Sequence, residues 1–313
     1  LTNPMPGSAT LKLNSDGSLG VLTAATENGS GAIATGVRQI AAEEFGLPAD
    51  KGVVTMPDTD AAAFDAGSQG SRTTHIVGRA VREAAIEVRA QILDTAANML
   101  EAAPEDLELA NEMVSVSGSP SKQVSLAEVA ATAQASSGPI SGTGSYTTPM
   151  PPINPTCASG LLFPGFPTPT YHVHVAEVEI DPTTGIVRVL RYLVAQEVGK
   201  AINPQAVRGQ IQGGVAQGLG YALWETLQID AGRYSQRTLE AYGLPLATDI
   251  PEVEIVLLEH PDPAGPYGAK GVAEPPIIPV AAAIGNAVEH AIGKSVDTIP
   301  ITAERVLEAL SGA

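Results

Sequence analysis

Residues 203–220 read NPQAVRGQIQGGVAQGLG. The stretch predicts a Gly-rich helix, about Val207–Leu227. Each Gly inside a helix costs roughly 1 kcal/mol relative to Ala, so the four or five here point to close packing against another backbone or a ligand. Gln210 and Gln217 are seven apart and share a face; for Gln217 a polar packing stripe and a ligand role are equally open. Downstream, residues 265–276 read GPYGAKGVAEPP. Two prolines after Glu274 bar it from a helix interior and predict an extended, positioned carboxylate. Gly265 and Lys270 have the spacing of a phosphate loop. That motif, however, needs Gly-Lys-Ser/Thr before a helix, and here Ala269 precedes and Gly271 follows Lys270.

Two Gly-rich segments lie upstream. Gly67–Thr74 (GSQGSRTT) enters a long helix. Ser68, Ser71, Thr73 and Thr74 supply hydroxyls, Arg72 a fork of donors, and the helix start its dipole, a dense donor set for an anion. Glu27–Thr35 (ENGSGAIAT) sits at a strand-to-helix junction. There Gly29 and Gly31 allow close backbone approach, although any tight turn uses the same residues.

Around these segments the chain reads as strand–helix alternation. Leu11/Leu13 and Leu19/Val21 flank Asn14–Gly17 as a hairpin, and a helix through Val37, Ile40 and Glu44 stops at Gly46 and Pro48. A strand at Val53–Met56, an amphipathic helix from about Ile76 to Ala102, strands at Leu107–Leu109 and Val114–Val116 and a helix at Ser125–Ala133 follow. Residues 135–169 lose periodicity and read as a boundary or long loop. Strands at His172–Ile180, Val187–Ala195 and Val253–Leu258 and a helix at Val280–Ala291 complete a mixed α/β (α+β) architecture. Two αβ subdomains with mixed sheets are expected, residues 1–145 and 146–313, the second carrying Glu274.

Composition narrows the function. The 313 residues carry 17 Lys+Arg against 34 Asp+Glu, a formal charge of −17. Such a surface repels nucleic-acid phosphates and anionic membranes. No apolar run reaches the ~20 residues of a membrane span. Leu1 opens directly in polar sequence, so no signal peptide is expected, and the missing initiator Met suggests a processed start or a piece of a longer protein. The single Cys157 excludes an internal disulfide and an iron–sulfur cluster. It is expected as a small buried or loop residue in a cytoplasmic protein. His172 and His174 share a strand face but lack a second cluster at metal-ligand spacing, so they read as structural. There is no G-x-S-x-G nucleophile elbow, no second positioned acid beside Glu274 for a hydrolase, and no dinucleotide fingerprint.

The four segments, in this order, resemble the cofactor loops of the molybdenum hydroxylases (the xanthine dehydrogenase/aldehyde oxidase family), in their second molybdopterin-binding domain. The likeness covers essentially the whole chain, including VEIDPTTG (178–185) and VGKAINP (198–204). It implies a molybdenum–molybdopterin cofactor, in bacteria usually the cytosine dinucleotide form, with no direct protein ligand to the metal. It implies Glu274 as general base toward a metal-bound hydroxide that attacks an electron-poor carbon, in an apolar pocket that raises its pKa. Gln210 would hydrogen-bond an oxo group, and Gln69 and Gly70 would lie beside the metal. Ser68 belongs to the same loop, with Ser71, Arg72, Thr73 and Thr74 on the phosphates and Lys200 and Asn203 at the nucleotide end. Gly29, Ser30, Gly31 and Thr35 would approach the pterin, and Lys270 and Gly271 would complete the cofactor contacts. Ser30 departs from the Gln common between the first two glycines, Glu197 from Asp, and Ala273 from Gly. The family's first molybdenum domain is not in this chain. The resemblance therefore implies a large partner subunit carrying it, with [2Fe-2S] and FAD on further chains. A subunit that only assists assembly is the alternative. Substrates in the family include N-heteroaromatics, purines and aldehydes.

Overall fold

A computed structural model describes residues 5–55, 57–149 and 168–312. Cys157 lies outside the described residues. The chain divides into two compact units. Unit 1 comprises Leu1–Pro169, Gly199–Asn203 and His260–Gly271; unit 2 comprises Thr170–Val198, Pro204–Glu259 and Val272–Ala313.

Unit 1 begins with the expected hairpin, β1 (Gly7–Leu13) and β2 (Leu19–Leu22), turned by Asn14–Gly17 with Gly17 at positive φ. A π-helical turn over Ala32–Val37 runs into α1 (Arg38–Glu43), which Gly46 ends at φ +62°; β3 (Gly52–Val54) follows. Helix α2 (Thr73–Leu100) buries Val77, Val81, Ala84, Val88 and Ile92 along one face. Strands β4 (Leu107–Ala110), β5 (Met113–Val116) and β6 (Ser119–Ser125) form a separate antiparallel sheet. In α3 (Leu126–Ser136) a reciprocal capping box between Ser125 and Glu128 fixes the start.

The aperiodic reading of residues 135–169 needs correction over its first part. Strand β7 (Ser141–Tyr146) pairs antiparallel with β1, giving the mixed sheet order β3-β2-β1-β7. Its inward positions are glycines. A Cβ on Gly144 would stand 2.2 Å from the Ala80 carbonyl and 2.5 Å from the Ala84 nitrogen, and one on Gly142 3.0 Å from the Ala84 carbonyl. The α2 backbone therefore lies directly on the strand, which supplies no apolar side chain for a periodic pattern to register.

In unit 2, β8 (His172–Ile180) and β9 (Val187–Glu197) pair antiparallel with a bulge at Glu177/Val178. Helix α4 (Pro204–Leu223) starts at a proline, which tolerates the first helical position. A short hairpin, β10 (Ile229–Asp230) and β11 (Arg233–Tyr234), and the one-turn α5 (Leu239–Tyr242) precede β12 (Val253–Leu258), which runs parallel to β9 in the order β12-β9-β8. Helix α6 (Val280–Ile292) was expected; α7 (Ala303–Ser311), capped by Thr302, was not. One face of this sheet packs a core of Tyr192, Val194, Ile211, Val215, Leu219 and Ile284, where burying each large apolar side chain contributes ~1.5–3 kcal/mol. Both units are mixed α+β. Among the described residues, no helix is long and apolar enough to cross a membrane.

Candidate functional site

The loop before the π-helical turn is organised by a residue the sequence reading passed over. Gly29 and Gly31 have φ of +92° and +76°, and these turns aim successive backbone N–H groups inward. They converge on the Glu27 carboxylate: Gly29 and Gly31 donate to Oε1 at 2.8 and 2.9 Å, Ile33 and Ala34 to Oε2 at 3.1 and 3.0 Å. The anion at this helix start is thus the chain's own. Burial alone would push the Glu27 carboxyl up, but the four N–H bonds overcome it and hold the group below the ordinary carboxylate value. A folded-state pKa below the unfolded one gives stability that is complete above about 4.5, the ordinary value, and lost as pH falls through the folded value. Glu27→Gln is expected to lower the melting temperature at neutral pH and to remove this acid limb; identical pH dependence of melting in the two proteins would count against the assignment. The signal was available: a Glu two residues before a Gly-x-Gly that opens a helix. Ser30 and Thr35 stand on this braced turn, partly buried.

Asn28 ties the loop to the second one. Its amide donates to Ser68 Oγ (3.2 Å), which also accepts from the Thr73 hydroxyl at the start of α2 (2.9 Å). Arg72 departs from the expectation that it serves phosphate. The residue is only 2% exposed. Its Nη1 donates to Asp65 Oδ1 (3.1 Å) and the Gly67 carbonyl (2.7 Å), its Nη2 to the carbonyls of Met5 (3.0 Å) and Pro6 (2.9 Å). Its guanidinium is committed to bracing the loop. Gln69 lies exposed with its amide against Met5 Sδ. Gly67 and Gly70 have positive φ with nothing within 4 Å of a Cβ position. Ser71, at φ +56°, packs under Gly271, where a Cβ would stand 2.9 Å from the Ser71 carbonyl oxygen. Thr74 lies over Gly36.

His75, a second residue missed by sequence reading, ties that contact down. It is fully buried, and Nδ1 donates to the Ala269 carbonyl at 2.9 Å, which fixes the tautomer. Burial pushes its pKa down, outweighing the bond to Ala269, so the ring is neutral. Lys200 and Lys270 are brought together on adjoining backbones: the Lys200 N–H donates to the Gly268 carbonyl (3.0 Å), and a Cβ on Gly199 would meet that oxygen at 2.1 Å. Lys270 Nζ donates to the Pro169 carbonyl (3.2 Å), and the Asn203 amide to Gln39 (3.1 Å). Unit 1 thus gathers Gly29–Thr35, Ser68–Thr74, Lys200, Asn203, Lys270 and Gly271.

Unit 2 carries the other two expected residues. Glu274 corrects one expectation. It is not extended: its φ and ψ are −84° and −35°, and it begins a 3-10 turn whose first positions are Pro275 and Pro276, with the Ile277 N–H donating to the Glu274 carbonyl (3.3 Å). Proline suits the start of such a turn because the first N–H groups have no internal partner. Within this chain the residue is solvent-exposed. The turn packs on α4 through Gly214, where a Cβ would lie 2.7 Å from Pro276 Cβ, and Gly218 meets Val280 in the same way. Gln210 is one helical turn before Gly214. Two further glycines, Gly209 and Gly213, have nothing within 4 Å of a Cβ position. Contacts among the described residues therefore explain Gly214 and Gly218 but leave the helix cost of Gly209 and Gly213 unoffset. Gln217 is exposed.

Comparison with known proteins shows the family. A family described as a molybdopterin cofactor-binding domain matches residues 1–251. The putative xanthine dehydrogenase molybdenum-binding subunit of Escherichia coli K12 is 33% identical over 308 residues, 96% of this chain and 39% of the relative. The nicotine 6-hydroxylase large subunit of Paenarthrobacter nicotinovorans is 33% identical over 99% of this chain and 38% of its own length. The crystal structure of quinoline 2-oxidoreductase from Pseudomonas putida 86 superposes with a TM-score of 0.83 at 31% identity, covering 98% of this chain and 38% of that one. The chain belongs to the molybdopterin cofactor-binding domain family of xanthine dehydrogenase/aldehyde oxidase-type proteins. It spans about two fifths of the length of these relatives.

Proposed function

We propose that this chain is the second molybdopterin-binding part of the molybdenum subunit of a hydroxylase that oxidises an electron-poor carbon of an N-heteroaromatic, purine or aldehyde. One observation carries the reading. Helix α4 presents Gln210 between glycines whose open faces admit a ligand's close approach, and the turn opened by Glu274 is packed onto the same helix at Gly214. The residues fit a molybdopterin group. Open glycines at positions 29, 67 and 70 offer a surface without side-chain obstruction, and Lys200 and Lys270 supply positive charge in a chain of net charge −17.

When bound, the cofactor supplies a water-derived oxygen and takes up the two electrons removed from the substrate carbon. The Glu274 carboxylate accepts the proton released in that transfer. The Gln210 amide donates a hydrogen bond that orients the reacting end. Ser71, Thr74, Lys200 and Lys270 hold anionic oxygens, Asn203 serves the nucleotide end of a cytosine dinucleotide form, and Gly29–Gly31 and Gln69–Gly70 form the floor. Arg72, Thr73 and Ser68 brace that floor, and Gly271 permits its close packing on Ser71. The chain works with a large subunit carrying the first molybdenum domain and with chains carrying [2Fe-2S] and FAD, in the cytoplasm. The test is metal analysis and a visible spectrum of the co-purified complex beside the isolated chain. Stoichiometric molybdenum in the complex, little in the chain alone, and iron–sulfur absorption are expected. A metal-free complex would refute the assignment, and tight stoichiometric molybdenum in the isolated, folded chain would refute the split site.

A further inference from the structure

A residue other than glycine at positive φ is held there at a cost, and a bulky one is a true outlier. Six occur among the described residues: Ser71, Glu101, Asn111, Glu112, Ala231 and Tyr267. Four have ordinary reasons. Glu101 is the left-handed cap of α2, Asn111 and Glu112 turn the β4–β5 hairpin, and Ala231 turns β10–β11 with Gly232. Ser71 and Tyr267 neither cap a helix end nor join a hairpin. Ser71 lies against Gly271, and Tyr267 (φ +52°, ψ +16°) stands four residues before that glycine.

Helix α2 fixes the Tyr267 bend from one face, through His75, Gly78 and Arg82 at i, i+3 and i+7. His75 bonds the Ala269 carbonyl, and Pro266 sits on Gly78, where a Cβ would stand 2.8 Å from Pro266 Cγ. The Arg82 guanidinium lies 4.5 Å from the centroid of the Tyr267 ring. Arg82 Nε donates to the Glu44 carboxylate at the end of α1, and the Tyr267 phenol donates to the same residue. Burial first, and then Glu44, hold the phenol above its ordinary pKa, so it keeps its proton. What the anchor fixes is the next carbonyl. Gly268 O accepts from the N–H groups of Lys200 and Asp262, both at 3.0 Å. Gly199 fits there only because it has no Cβ, which would stand 2.1 Å from that oxygen and 2.9 Å from Lys270 Cγ.

We propose that Tyr267 is a positioning residue for Lys200 and Lys270: its ring, clamped by α1 and α2, keeps the strained bend that presents the Gly268 carbonyl to Lys200. That these lysines hold anionic oxygens of the cofactor is the reading proposed above, and the assignment rests on it. Backbone strain of this kind persists where the surrounding contacts over-determine it, as they do at ligand clamps. Here the contacts come from two helices and end on the backbone that carries both charges.

The experiment compares Tyr267→Gly, Tyr267→Phe and Ala231→Gly in the co-purified complex. It reads the rate of molybdenum loss during repeated gel filtration and, separately, the unfolding midpoint. Glycine adopts φ +52° without strain, so Tyr267→Gly removes the ring while relaxing the backbone. It is expected to unfold close to the parental midpoint and to lose molybdenum about tenfold faster or more, the scale of losing one hydrogen bond to a charged group. Tyr267→Phe keeps a ring beside Arg82 and is expected to restore parental retention. Ala231→Gly relaxes a bend in unit 2 and is expected to change nothing. Arg82→Gln takes the cation from the ring, is expected to reproduce the loss, and decides the matter where the glycine variant folds poorly. Parental retention in Tyr267→Gly and Arg82→Gln overturns the positioning role and leaves the cofactor reading standing. So does a loss in Tyr267→Phe as large as in Tyr267→Gly, or a loss that only follows a lowered midpoint. A parental complex without molybdenum overturns the cofactor reading and the assignment with it.

Discussion

Glu274→Gln is expected to leave molybdenum bound in the purified complex and to slow substrate reduction of the cofactor by about 10²–10⁴-fold, the scale of losing a general base. The exchange keeps the size and hydrogen-bonding reach of the side chain but removes its capacity to take a proton. The turn that Glu274 opens is held against α4 through Pro276 at Gly214, a contact the exchange does not touch. Metal content and single-turnover reduction are measured on the same preparation. A carboxylate serving only assembly gives the reverse pattern, with depleted molybdenum and ordinary turnover in what remains. Rapid reduction of the fully loaded variant would end the base assignment while leaving the family membership intact.

Arg72→Ala is expected to destabilise the protein by about 3–5 kcal/mol, the cost of breaking a buried ion pair from one side. The side chains of Arg72 and Asp65 are 3% and 1% exposed. Removing the guanidinium leaves the Asp65 carboxylate with the Gly67 N–H but no countercharge, and takes the Arg72 donors from the carbonyls of Met5, Pro6 and Gly67. Denaturant unfolding reads the loss, and a change below about 1 kcal/mol would contradict the bracing role. Molybdenum content is expected to fall with the loop's order, while the rate per bound molybdenum stays close to parental. Unchanged metal content with a collapsed rate per metal would assign Arg72 to the chemistry instead.

Where side chains carry the pattern, the fold was legible. Asn14–Gly17 announced the hairpin, the strand at Val253–Leu258 was read to its limits, and the apolar face of α2 marked its length within three residues of the observed Thr73 start. Where backbone contact replaces side-chain packing, the pattern was silent. β7 is held by glycines under α2, and β6 is a largely exposed polar edge strand with no apolar alternation. The site divides in the same way. The Gly-rich loops were found because glycine at positive φ is a conspicuous choice, and Ser68, Ser71 and Thr73 followed from their place before a helix. Two sets of donors turn inward, onto acceptors of the chain itself. Arg72 meets carbonyls of residues 5 and 6, and the N–H groups after Gly29 meet Glu27; neither pairing has a composition signature. The prolines after Glu274 were read as extending it, whereas at the head of a 3-10 turn the same prolines bend it.

The bond from His75 to the Ala269 carbonyl joins residues 194 positions apart. Every backbone contact that fastens Gly265–Gly271 beside Ser71 and Lys200 waits on the same late segment. In a chain emerging from the ribosome, β1, β2, α2 and β7 have their partners well before residue 269 is made, so the sheet and its helix can form early. The loop region of unit 1 cannot, because its last wall is encoded past most of unit 2. Closing so long a loop adds only slowly to the entropic cost, about 0.6 kcal/mol per doubling of length, but it sets the order of events. The framework of unit 1 is built first and its Gly-rich loops are locked last, once residues 260–271 have been translated.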